Sequence, residues 1–154
     1  MDAITAAVAL GQSGQRAQAR DALTALWGRI GDDGDAFHRC VLAHYLADLQ
    51  DTVEAELHWD ERALAAAADL SDERAQQHDS SFKARGFLPS LHLNLADVHR
   101  RLGNTGLARK QLAAAGESVH QLPDDAYGEM IRSGIDSVSQ ALDAGSTERL
   151  AAHP

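Results

Sequence analysis

Eight histidines, one cysteine and a few grouped carboxylates and arginines hold most of the reactive chemistry of this chain. His92 and His99 stand seven residues apart, two turns along one helix face, from which two imidazoles can approach zinc or nickel. The competing reading is two partly buried rings bonded to neighbours, because no two histidines have the i, i+4 spacing with which one helix chelates a metal. Glu54, His58 and Arg62 form an i, i+4 row in which a carboxylate beside an imidazole could do acid–base work. The same row is what a solvated helix face presents, and that reading is favoured. Cys40 is the only thiol and has no legible His partner, so a semi-buried structural thiol is expected. Asp32, Asp33 and Asp35 lack the alternating ligands and distal Glu of a calcium loop, which leaves a turn and a helix cap. Gly11 and Gly14 in GQSGQR lack a P-loop Lys and a dinucleotide fingerprint, and Gly-x-Ser-x-Gly, His-Glu-x-x-His and Cys-x-x-Cys do not occur. No polar group has catalytic spacing, so no enzymatic activity, cofactor or metal is expected.

The elements that position these residues read as helices. Apolar residues recur at helical spacing over seven segments. These are Asp2 to Gly11, Gln15 to Ile30, Ala36 to Leu49, Asp51 or Thr52 to Leu70, Leu88 to Leu102, Thr105 to His120, and Asp124 to Ala144. Asp33 or Asp35 is expected to cap the third helix, and Thr52 suits the start of the fourth. Pro89 is placed in the first turn of the fifth, where its missing N–H costs nothing. HDSSFKARG, residues 78–86, reads as irregular, and Gly145 ends the last helix. Residues 146–154 read as a flexible tail.

A chain of 154 residues suits one domain with a continuous core, here residues 1–145. Ala and Leu are plentiful, while β-branched and aromatic residues are scarce, which favours an all-α fold. The net charge of −9 repels phosphate backbones and argues against nucleic acid as a partner. No apolar run reaches the ~20 residues of a membrane span, and a lone cysteine fits a reducing cytoplasm. The balance of Arg over Lys, with much Ala and Asp, fits a bacterial, GC-rich origin of actinobacterial type.

A repeat emerges from the small residues. Ala7 is followed twelve residues on by Ala19, Ala43 by Ala55, and Ala96 by Ala108. Four residues after each second alanine comes a large apolar residue: Leu23, Trp59 and Leu112. Gly14, Gln50 and Gly103 stand seven after each first alanine. The pattern resembles the tetratricopeptide repeat, with its W-x2-L-G-x2-Y, A-x3-F and terminal Pro signature. Residues 91–115, LHLNLADVHRRLGNTGLARKQLAAA, carry it most completely. No unit has the opening aromatic, His92 takes that place in the third, and Gln50 replaces the turn glycine in the second. The first two units are 36 residues apart, near the family's period of about 34. The next interval is 53 residues, which leaves room for an inserted segment.

The resemblance implies a right-handed solenoid of helical hairpins with units at about 1–34, 35–70 and 88–122. An insertion at 71–87 and a capping helix at 124–144 complete it. It also implies that the first helix of each unit lines a concave, peptide-binding surface. Phe37, Cys40, Val41, His44 and Asp48 would then line the second unit, and Leu93, Asn94, Asp97, Arg100 and Arg101 the third. Asn can hold a peptide backbone and Arg can clamp a carboxylate, while an Asp97–Arg101 pair at i, i+4 would withdraw both. Phe82, Lys83 and Arg85, with Phe87, form a candidate lid. The family's clamp for acidic chaperone tails is not reproduced, since Ile4, Val8, Cys40 and His44 occupy those places. The expected function is a non-enzymatic adaptor that binds a peptide or helix, with self-association into a homodimer also open. A small-molecule or metal-responsive sensor and an accessory subunit of an enzyme complex are the alternatives.

Overall fold

The structure is a computed structural model. It describes residues 1–70 and 84–150, and the side chains of all of these except Ala84 and Arg85. Every regular element among the described residues is helical. The chain divides into two compact units, Met1–Phe82 and Lys83–Pro154.

The first unit contains α1 (Asp2–Gln12), α2 (Arg16–Ile30), α3 (Ala36–Asp48) and α4 (Val53–Ala68). Helices α1 and α2 form one hairpin and α3 and α4 a second, with α2 also packed on α3. Gly14 makes the first reversal with φ 87, a left-handed conformation that costs glycine little. Asp35 caps α3, its carboxylate accepting from the His38 N–H, and the Thr52 hydroxyl caps α4 by accepting from the Ala55 N–H. Ala7, Ala19 and Ala43 are buried to 3 % exposure or less, where small side chains let the helices approach closely, and Ala55 is half-buried. Further along α2 and α4, Trp27 and Trp59 meet edge to face, with centroids 5.0 Å apart. The Arg62 guanidinium lies 5.7 Å and 5.1 Å from the two ring centroids. Glu54 and His58 are exposed, as a solvated face requires, but Arg62 in the same row links α4 to α2.

The second unit contains α5 (Ala84–Arg101), α6 (Thr105–Ser118), a short 3-10 turn (Val119–Gln121) and α7 (Ala126–Asp143). Helices α5 and α6 form a hairpin through Gly103, φ 75, and α7 packs on both. Their shared core is Leu93, Ala96, Ala115, Leu122, Ile131 and Val138, joined at its edge by Leu112, Val119, Ile135 and Leu150. Gly134 lets α7 close on α5, since a Cβ there would stand 2.7 Å from Leu93 Cδ2.

Element boundaries lie within two residues of the sequence expectation except at the start of α5, and two of the differences bear on the expected site. Helix α5 begins at Ala84 rather than Leu88, so residues 84–86 are helical and Pro89 lies beyond the first turn. Proline there forgoes one backbone bond, and its burial places apolar surface in the core in return. The sixth segment breaks at Ser118, and His120 belongs to the 3-10 turn. Phe82 and Lys83 lie outside the described residues, as does most of the expected insertion. No helix among the described residues is long and apolar enough to cross a membrane.

Candidate functional site

The first unit holds an open cleft of about 240 Å³ where the end of α1, the start of α2 and the end of α3 converge. Val8 and Gly11 come from α1, Leu23 from α2 and Leu49 from just past α3, and together they supply an apolar lining. Gly11 leaves space that a side chain would fill. Its missing Cβ would sit 3.5 Å from Ala19 Cβ and 3.6 Å from Leu49 Cδ2, in ordinary contact.

Gln12, Arg16, Tyr45 and Asp48 supply the polar lining. The Arg16 guanidinium donates to the backbone carbonyl of Asp48 at 3.0 Å, which ties the start of α2 to the end of α3. That bond uses the carbonyl and not the carboxylate, so Asp48 keeps an exposed charge with no ion pair among the described residues. Beside the cleft, Arg20 Nη1 donates to Asp51 Oδ2 at 2.5 Å. The hydrogen bond from Arg20, reinforced by its charge, holds the Asp51 carboxyl below the usual carboxylate range. An apolar pit with a few convergent polar groups suits one inserted side chain whose flanking backbone stays in solvent.

The sequence-expected groove residues separate. Asp48 lines the cleft and His44 is half-buried on the same helix. Phe37 is 1 % exposed and Leu93 9 %, so both are core residues and not ligand-facing ones. Each is a large apolar side chain on a helix packed along more than one side, and burial is where it is most stable. Asn94 and Asp97 are half-buried. Arg100, expected to clamp a ligand, is 2 % exposed and fully engaged within the unit. Its Nε and Nη2 donate to Asp97 Oδ1 at 3.1 Å and 2.6 Å. Its Nη1 donates to the Ser146 carbonyl at 2.6 Å and its Nη2 to the Glu148 carbonyl at 2.9 Å. Arg101 Nε lies 2.9 Å from Asp97 Oδ2, the i, i+4 pairing that withdraws it from a ligand. Arg85 belongs to α5, with its side chain outside the description.

The remaining reactive groups have structural surroundings. Cys40 is fully buried, and desolvation pushes its thiol up to about 12, which leaves almost no thiolate at neutral pH. His92 Nδ1 is 2.7 Å from Gln111 Oε1, a bond that joins α5 to α6. His99 is 6 % exposed, and its Nδ1 has no hydrogen-bond partner among the described residues.

Of the eight residues that line the cleft, only Asp48 was an expected site residue. A glycine near the end of an Ala-rich helix was the available signal, and its meaning depended on Leu23 and Leu49 lying opposite. No protein-family model, curated protein or solved structure matches this chain.

Proposed function

We propose that this chain is a non-enzymatic recognition module whose hairpins stack in the manner of tetratricopeptide repeats, and that it binds a peptide or helix of another protein through the cleft of its first unit. The observation that carries the reading is the cleft itself, an apolar pit beside the exposed Asp48 carboxylate. Three helical hairpins, with five of the six repeat alanines buried and Ala55 half-buried, support the repeat arrangement. The partner is a positively charged segment with one apolar side chain. Residues 1–82 hold fifteen acidic and six basic side chains, against eight of each in residues 83–154, so the whole net charge of −9 falls in the first unit. A field of that sign concentrates cations and speeds their encounter. No cofactor takes part, and a single cysteine suits a reducing, cytoplasmic setting.

The test is an unbiased short-peptide display selection on the whole chain. It should enrich cationic sequences with one apolar residue, and these should shift the amide resonances of Gly11, Gln12 and Asp48. Asp48→Lys should weaken them by about tenfold or more, because it replaces an attractive charge with a repulsive one. The exposed Gln12→Trp should block the cleft with little effect on stability. Enrichment of acidic sequences, or binding that ignores both substitutions, would remove this reading.

A further inference from the structure

Arg100 is a buried arginine that holds a peptide backbone, and the peptide belongs to its own chain. After α7, Gly145 adopts φ 67 and reverses the path, with the Ser146 N–H donating back to the Ala141 carbonyl at 2.9 Å. Residues 146–150 then run without regular structure over α5. The carbonyls of Ser146 and Glu148 both accept from the Arg100 guanidinium. Two residues further, Leu150 packs against the cluster that includes Leu93 and Ala96. Thr147, Glu148 and Arg149 are exposed, so the segment is held by one arginine and one leucine anchor.

The features of this contact are those of a ligand in a receptor. The fork reads backbone carbonyls, which every residue offers, and only the leucine position requires a particular side chain. Asp97 orients the fork from the opposite side through bonds of 3.1 Å and 2.6 Å to Arg100. Arg101 Nε lies 2.9 Å from the other Asp97 oxygen, a charge contact without hydrogen-bond alignment. The arginine fork is therefore held by α5 itself, while the leucine slot belongs to the cluster that α5, α6 and α7 build together, and neither draws on the strap for its own residues.

We infer that this face of α5 is a second peptide-binding site, held shut by residues 146–150 as an internal ligand. Its external ligand is an unfolded segment of a partner protein. That segment offers two backbone carbonyls at alternate residues and a leucine-like side chain two residues on. The site lies in residues 83–154 and does not depend on the cleft reading for residues 1–82. Shifts at Leu93, Asp97 and Arg100 report this site, and shifts at Gly11, Gln12 and Asp48 report the other. The internal segment is tethered, and a short tether gives an effective concentration on the order of mM, so the native chain admits only competitors that exceed it.

The test uses the whole chain with Leu150→Asp, which removes the strap's anchor and leaves Arg100 in place. The probe is the synthetic peptide GSTERLAA, the sequence of residues 145–152. It should bind the Leu150→Asp chain saturably with shifts at Leu93, Asp97 and Arg100, and bind the native chain at least about tenfold more weakly. Replacing its leucine by alanine, or adding Arg100→Met to the chain, should abolish binding. Equal binding to native and Leu150→Asp chains, binding that survives Arg100→Met, or no saturable binding to a helical Leu150→Asp chain would overturn the proposal. A native dimer that Leu150→Asp dissolves would also overturn it, by putting a second copy's tail in the slot. Hydrogen exchange on the native chain serves if Leu150→Asp unfolds. Amides 147–150 should exchange faster than those of α5 and α7, and exchange in one cooperative step with those helices would overturn the strap.

Discussion

At the residue scale, burial decides what each ionisable group can do. Asp97 accepts from Arg100 and pairs with Arg101, so one carboxylate organises the C-terminal half of α5. Arg100→Met removes four hydrogen bonds, two of them to backbone carbonyls that no other described group takes over. It should destabilise the chain by about 1.5–3 kcal/mol in denaturant titration, the range for bonds to a charged group. Cys40 makes a second case. Its thiol ionises near 12 when folded against an ordinary 9.0, so the folded chain holds that proton more tightly. The associated stability is fully present below about pH 9 and is lost as the pH rises towards 12. Denaturant midpoints should therefore fall more steeply on the alkaline side for the native chain than for Cys40→Ala. A thiol reagent at neutral pH should leave Cys40 unmodified until the chain unfolds.

At the scale of elements, glycines and caps separate local preference from packing. Gly11 sits inside α1 with room for a methyl group, so Gly11→Ala should stabilise by about 0.5–1 kcal/mol through helix propensity. Gly128 sits in the first turn of α7, where a Cβ would collide with the Pro123 carbonyl oxygen. Gly128→Ala should therefore destabilise by about 1–3 kcal/mol. Thermal melts of the two variants should move in opposite directions. Thr52→Ala removes the cap of α4 and should cost about 1 kcal/mol. Among the described residues helix existence was legible, because apolar spacing and terminal signals such as Thr52, Gly103 and Gly145 are read within a few residues. The start of α5 was not. Pro89 looked like a first-turn residue on local grounds, and its burial made a longer helix favourable.

At the scale of the molecule, charge is divided as sharply as structure. The first unit carries all of the net −9 and the second is neutral. Binding of a cationic peptide to the cleft should weaken as salt is raised, mainly through a slower on-rate, and stopped-flow mixing at two ionic strengths measures this. Binding at the α5 site should respond little, because its fork reads uncharged carbonyls. The sequence by itself determined that the regular elements among the described residues are helices, and where they begin and end to within a few residues. Those features depend on residues three, four and seven apart in one helix, and local sequence records them. Tertiary structure alone decided that Phe37 and Leu93 face the core, that Gly11 opens a cleft against Leu23 and Leu49, and that Arg100 holds its own chain. The Arg100 bonds join residues 46 and 48 positions apart. No periodicity spans that distance, and the turn at Gly145 brings two backbone carbonyls, which carry no side-chain identity, to the arginine that its sequence position suggested for a partner.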